Sequence, residues 1–340
     1  MQVGLVVGNI GFVRGYFEKF NLTFGFIIDF GMTCYMFILG IEMDPYVLFA
    51  RPNRYTKVAL AGVVSSLILG GLTTPTFKYF PDENKLLEFT LVFSTMISST
   101  DSPVLTRLIT QLKIGKSDIG KLIIGAGVHT DFVCCLLLCI GYIFVPMPAY
   151  CQNLNGRFEV KKTIHVVCVV LVQVVFTAMV SPMLMKWVSN ENPEGRPMKG
   201  PHLVLSIAFM VLMCASTTIY NYNPILSAFL VGVCVPREGR VSKWVITRIN
   251  YMLTTIFFPI FFLWMGYVSN FRQFEAHNAG TWVRLSVLLV VATAGKVVGI
   301  VIYGAFSGFH WPESVAIGML LVTKGHLQIY LAMKVVSLSS

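Results

Sequence analysis

The chain is dominated by apolar stretches of about 20 residues, the length that an α-helix needs to cross the hydrocarbon core of a bilayer. Lipid offers the backbone no hydrogen bonds, so such stretches must fold as helices or as a closed barrel, and their length favours helices. Of the 340 residues, 55% are hydrophobic and only 12% are charged. The sequence therefore predicts an all-α polytopic membrane protein and not a set of soluble domains.

Ten such spans and one shorter segment can be placed along residues 1–340, with no soluble domain between or after them. Lys and Arg are enriched in the cytoplasmic loops of membrane proteins. Of the 26 Lys and Arg residues, fourteen lie on one predicted side of the membrane, ten on the other and two inside the spans. The side with fourteen is predicted to be cytoplasmic, and the short segment should begin there. The segment is 2–13, and the spans are 22–43, 56–79, 87–112, 117–146, 161–188, 201–220, 222–236, 245–269, 282–308 and 312–336.

Several function classes find no support in the residue patterns. The net charge of +10 does not indicate nucleic acid, because the basic residues occur singly between apolar runs. The eight cysteines form no CxxC motif or Cys/His ligand set, and we interpret them as small interior residues. No nucleophile, phosphate-binding loop or zinc pattern is found, so the sequence predicts neither an enzyme nor a cofactor.

Four charged residues lie well inside predicted spans: Asp101, Asp131, Lys296 and Lys324. A carboxylate in the hydrocarbon core is costly, so it marks a functional site and calls for a partner. Asp131 is the predicted exchange group, because one buried carboxylate can hold a proton or a metal cation but not both. Lys296 and Lys324 are the candidate charge partners, and Lys296 would pair with a carboxylate when the cation is absent. The alternative is a constitutive Asp–Lys bridge that only joins two helices.

Two spans should be interrupted near their centres. Pro103 follows 100–102 in mid-span, where it removes a backbone donor and should break the helix. Gly325 marks the corresponding place in the last span. Paired interrupted helices are typical of secondary transporters built from inverted repeats. The alternative at Pro103 is a simple packing kink.

Oxygen-bearing residues cluster around Asp131 and the first break. Alkali cations prefer such hard oxygen ligands, and Asp101 could instead cap the helix that follows. His129 could relay protons, or it could be an ordinary interior histidine. The predicted cation ligands beside Asp131 are Thr130, Thr100, Asp101 and Ser102.

The order and spacing of several motifs resemble the plant cation/proton exchangers of the monovalent cation:proton antiporter superfamily. They are FILGIEMDP ending at Pro45, SSTDSPVLTRLITQLKI (98–114), AFLVGVCVPREG (228–239), FFPIFFLWMG (257–266), GKVVG (295–299) and VTKG (322–325). The resemblance implies a sodium/proton antiporter fold with inverted repeats and two crossed discontinuous helices. It implies that Asp131 is the ion-binding aspartate, that Thr100 and Asp101 belong to the broken-helix motif, and that Lys296 is the core lysine.

The resemblance also implies an organisation and an activity. Core ion-site helices would lie at 87–146 and 282–336, with linker and dimerisation-type helices at 161–269, hence a homodimer in membrane lipid. The activity would be exchange of K⁺ or Na⁺ for H⁺, in an endomembrane or the plasma membrane.

Departures from the family pattern bear on ion choice and proton coupling. Thr130 stands where Asn is common, Val322 begins a motif that usually reads Asn-Thr-Lys-Gly, and Gln328 replaces a frequent Glu. The family's first helices, its final core helix and its long soluble C-terminal region have no counterpart, so the fold is expected to be incomplete. The alternative function is a non-transporting membrane subunit that modulates full-length relatives.

Overall fold

The computed structural model describes residues 2–9, 19–43, 53–74, 83–144, 160–192, 200–216, 222–237, 240–268 and 279–339, and no strand occurs among them. They form fourteen α-helices and one π-helical segment, Leu253–Phe257. The helices are α1 Gln2–Asn9, α2 Asn21–Glu42, α3 Arg54–Thr73, α4 Glu83–Ser98, α5 Ser102–Gln111, α6 Asp118–Phe144, α7 Val160–Glu191, α8 Gly200–Ser216, α9 Pro224–Cys234, α10 Arg240–Met252, α11 Phe258–Val268, α12 Ala279–Phe306, α13 Trp311–Leu321 and α14 His326–Ser339.

Six helical segments within the described residues are long and apolar enough to cross a membrane, and the α13–α14 pair makes up to seven. The predicted all-α polytopic membrane fold is therefore confirmed, and the protein is a multi-pass integral membrane protein. The six are Thr23–Glu42, Arg54–Thr73, Ile119–Ile143, Thr163–Glu191, Val241–Val268 and Leu289–Phe306.

Several boundaries differ from those predicted. The stretch 222–236 contains only the 11-residue α9, about 17 Å long, which is too short to cross a bilayer alone. The span predicted at 245–269 begins at Arg240 and contains the π-helical segment. Of the predicted segment 2–13, residues 2–9 are helical and the rest lie outside the described part.

The described chain divides into two compact units, and the first contains α1, α2, the last residues of α6, and α7 to α11. Helices α2 and α9 cross at a pair of glycines. A Cβ atom on Gly40 would lie 3.0 Å from the Cα of Gly232, so this crossing needs residues without side chains. Gln173 of α7 donates to the Met213 carbonyl (2.6 Å) and to Ser227 Oγ (2.7 Å), which joins α7, α8 and α9.

The second unit contains α3, α4, α5, α6 up to residue 141, and α12 to α14. Helices α3 and α12 approach closely, and Ser65 Oγ of α3 donates to the Gly295 carbonyl of α12 at 2.9 Å. A Cβ atom on Gly299 would collide with the Ser65 side chain. This contact fixes the stretch of α12 that carries Lys296. All the predicted site residues lie in this unit.

Candidate functional site

The first helix break lies where the sequence predicts it. Helix α4 ends at Ser98, and Asp101 has an extended backbone with φ −97° and ψ 101° before α5 begins. Pro103 falls in the first turn of α5, where its missing N–H has no intrahelical partner to lose. Asp101 Oδ1 accepts a hydrogen bond from Val104 N at 2.9 Å. Asp101 therefore caps α5, which is the alternative role that the sequence left open.

The second break separates α13 from α14, which are bent by 58°, and it touches the first break directly. Asp101 N donates to the Thr323 carbonyl (3.2 Å), and Thr100 Oγ1 donates to the Leu321 carbonyl (3.2 Å). A Cβ atom on Gly325 would overlap the Asp101 carboxylate. His326 lies beside the same carboxylate. The two interrupted helices thus cross at their breaks.

Asp131 lies on α6, facing the first break, and is only 2% exposed. Its Oδ2 accepts two hydrogen bonds from Ser102, one from the backbone N (3.2 Å) and one from Oγ (2.8 Å). Its Oδ1 has the Cys135 thiol at 4.0 Å. Thr130 Oγ1 donates to the Gly127 carbonyl (2.9 Å) and lies 3.4 Å from Thr100 Oγ1. The Ser102 hydroxyl therefore contacts the Asp131 carboxylate, while the hydroxyls of Thr100 and Thr130 lie next to each other between α6 and the first break.

Lys296 is fully buried and reaches the first break from α12. Its Nζ donates to the Ser98 carbonyl and to Thr100 Oγ1, both at 2.7 Å. Asp131 is within electrostatic range of this ammonium group, but the hydrogen bonds found for the two side chains do not join them. A constitutive Asp131–Lys296 bridge is therefore not observed between these described residues.

Lys324 lies in the second break and forms hydrogen bonds to the end of α4. Its Nζ donates to the carbonyls of Met96 (3.0 Å), Ser99 (2.7 Å) and Ile97. The last carbonyls of a helix have no intrahelical donor, and a cation there also opposes the negative end of the helix dipole. The charge of the half-buried Lys324 is thus matched by backbone oxygens at the crossing.

Gln328 connects the two breaks, a role the sequence analysis missed. Its Oε1 accepts from Gly325 N (2.9 Å), and its Nε2 donates to Ser99 Oγ (3.0 Å). Gln328 is the third residue of α14 and reaches back to the residue that precedes the helix, as in a capping box. This contact could have been predicted from the Gly-x-x-Gln spacing after the break.

His129 is buried on α6 but is absent from the hydrogen bonds found around Asp131. Two residues along an α-helix turn the side chain by about 200°. His129 therefore leaves the helix on nearly the opposite side from Asp131, and its role as a proton relay stays a prediction.

Residues 1–339 match the sequence family described as sodium/hydrogen exchanger, transmembrane. The chain belongs to this family. Within the exchanger family, it is 46% identical over 334 residues to Cation/H(+) antiporter 28 of Arabidopsis thaliana, covering 97% of this chain and 41% of that relative. It is 24% identical over 325 residues to Cation/H(+) antiporter 17 of the same plant, covering 94% of this chain and 38% of the relative.

The match to Cation/H(+) antiporter 15 of the same plant is also 24% identical, over 299 residues, and covers 88% of this chain and 35% of the relative. The resemblance to plant cation/proton exchangers is confirmed by these matches. The chain spans about two fifths of the length of the curated relatives it matches. The roles of individual exchanger residues in this chain stay predictions.

Proposed function

We propose that this chain is the membrane part of a monovalent cation/proton antiporter that exchanges K⁺ or Na⁺ for H⁺ at Asp131. The proposal is supported by the family match and by the names of the relatives, which are cation/H⁺ antiporters. The geometry that supports it is the difference in hydrogen bonding between the two carboxylate oxygens of Asp131. Oδ2 holds both Ser102 donors, whereas among the described residues Oδ1 has only a thiol at 4.0 Å.

Because of this difference, Oδ1 and Oδ2 of Asp131 would have different roles. A thiol is a weak donor, so Oδ1 has room for either a proton or a metal cation. The hydroxyl of Thr100, at the first break, lies 3.4 Å from that of Thr130 on α6, and both can turn oxygen lone pairs toward a bound cation. Oδ2 keeps its hydrogen bonds to Ser102 at the start of α5. Binding and release of the ion at Oδ1 would therefore shift α5.

Lys296 supplies the compensating charge in this mechanism. A carboxylate that has lost its cation and not yet gained a proton would leave an uncompensated negative charge in a low-dielectric interior. The Lys296 ammonium group is within electrostatic range and is held by the Thr100 hydroxyl. One carboxylate with one occupant at a time gives one-for-one, electroneutral exchange.

The assembly follows the family resemblance. We propose that the chain works as a homodimer, with linker and dimerisation-type helices within 161–269 and the core ion-site helices at 87–146 and 282–336.

The proposal is tested by transport measurements on the purified protein in liposomes loaded with a pH-sensitive dye. An imposed K⁺ or Na⁺ gradient should drive proton flux, and Asp131→Asn should abolish it because an amide holds neither a transferable proton nor a cation's countercharge. Asp29→Asn is the matched control, an intramembrane Asp on α2 outside the site, and it should retain flux. Flux that persists in Asp131→Asn would refute the assignment.

A further inference from the structure

One end of the second unit carries a cationic surface that the exchange chemistry does not use. We call it the basic end and define it by six residues, all exposed: Arg54, Lys57, Arg107, Lys113, Lys116 and Lys121. They come from the start of α3, from α5, from the turn after α5 and from the start of α6. These segments lie together, because Val58, Ile109 and Ile123 share one buried cluster.

The basic end lies at the edge of the apolar spans. Candidate membrane spans begin at Arg54 and at Ile119, so the turn between α5 and α6 should lie at the boundary between lipid and water. Apolar side chains alternate with the lysines there, since Leu112, Ile114 and Ile119 are 53%, 37% and 55% exposed. Such a mixture fits the boundary, where apolar groups enter the acyl region and cations meet headgroups.

The turn holds Lys113 in a conformation that favours glycine. Its φ is +59°, which no other non-glycine residue among the described ones shares. Ile114 N donates to the Ile109 carbonyl (3.3 Å) and Lys113 N to the Thr110 carbonyl (3.0 Å), the helix ending that usually has glycine at this position. A strained residue that persists often reflects function. A lysine therefore occupies a position at which glycine would be less strained, and this points to a function of its side chain.

We propose that the basic end binds the phosphate headgroups of anionic phospholipids in the cytoplasmic leaflet. Clusters of four to eight Lys and Arg residues next to a membrane helix attract anionic lipid. This end belongs to the loops with more basic residues, which are predicted to face the cytoplasm. The acidic residues of α5 and α6 are Asp118, which begins α6, and Asp101 and Asp131, which are buried at the first break; Glu313 lies in the first turn of the neighbouring α13. This site goes beyond the exchange reaction and does not depend on it.

The test measures binding of phosphatidylglycerol and phosphatidylcholine with matched acyl chains to the detergent-solubilised protein, by native mass spectrometry. Phosphatidylglycerol should be preferred. Removing one cation near the surface should weaken its binding about fivefold. Lys113→Gly/Lys116→Gln should therefore bind phosphatidylglycerol roughly 25-fold more weakly. Lys19→Gln, an exposed lysine in the other unit, is the control and should bind as the unsubstituted protein does.

Lys113→Gly alone separates a lipid site from a structural role. It relieves the positive φ and should raise the unfolding temperature, while removing the charge should weaken phosphatidylglycerol binding. Equal binding of the two lipids, or unchanged phosphatidylglycerol binding in Lys113→Gly, would overturn the proposal. Soluble glycerol phosphate distinguishes the source of the anion. If it binds as tightly as the lipid, the site takes free phosphates and the lipid assignment fails.

Discussion

Gly325 sets how closely the two broken helices can cross, because its missing side chain leaves room for the Asp101 carboxylate. Gly325→Ala should push the two breaks apart and move Ser102 away from Asp131. We expect cation/proton exchange to be lost and the free energy of unfolding to fall by about 1–3 kcal/mol, as overpacking does. Proton flux in liposomes and thermal unfolding in detergent measure the two effects.

The control for this substitution is Gly71→Ala, on α3 in the same unit. A Cβ atom on Gly71 has nothing within 4 Å, so this variant should keep both flux and stability. If Gly325→Ala retained exchange close to that of Gly71→Ala, the close crossing would not be needed for transport.

Most of the polar groups at the first break could be predicted from the sequence, but the hydrogen bonds between them could not. Thr100, Ser102 and Thr130 could be named because hydroxyls beside an intramembrane acid are few and chemically apt. The partners of Lys296 could not, because one of them is a backbone carbonyl exposed only by the helix break. Every residue has a carbonyl, so the sequence cannot indicate which ones a break leaves unpaired.

Lys324 joins the end of α4 to the second break through hydrogen bonds to three carbonyls. Lys324→Met keeps most of the side-chain volume but leaves those oxygens without a charged donor. Hydrogen bonds to charged groups contribute more than neutral ones, so we expect a loss of roughly 3 kcal/mol in unfolding free energy. Thermal unfolding in detergent measures it.

Lys243→Met on α10 is the comparison for that variant, since Lys243 is exposed and should be replaced at little cost. If Lys324→Met unfolded at the same temperature as Lys243→Met, the hydrogen bonds from Lys324 to α4 would not stabilise the crossing of the two broken helices.

The helix breaks were predictable because their causes are local, while other boundaries depend on packing. Pro103 removes a donor wherever it occurs, so the interruption of 87–112 follows from the sequence. Hydropathy marks the apolar length of 222–236 but not where its helix begins. Asn223 Oδ1 accepts a hydrogen bond from Ile225 N (2.9 Å) and so caps α9, with Pro224 in the first turn. The start of α9 could therefore have been predicted from the Asn-Pro pair. The π-helical turn at 253–257 had no comparable signal.

For the whole molecule, composition was enough to predict the class, because an apolar chain of this length can satisfy its backbone in lipid only as helices or as a barrel. Assigning the sides of the membrane needs one further assumption, that the richer set of basic loops faces the cytoplasm. The three predicted spans 22–43, 56–79 and 87–112 separate Lys19 from Lys116. An odd number of crossings places these two exposed lysines on opposite sides.

This arrangement predicts the outcome of labelling with a membrane-impermeant maleimide in sealed vesicles of known orientation. Lys116→Cys should react only from the cytoplasmic side and Lys19→Cys only from the other, with the unsubstituted protein measuring the background from its own cysteines. Labelling of both from one side would mean that one of the three stretches does not cross. Lys116 labelled from the non-cytoplasmic side would turn the basic end toward the other leaflet. That result would overturn the proposed binding of the basic end to anionic phospholipids of the cytoplasmic leaflet.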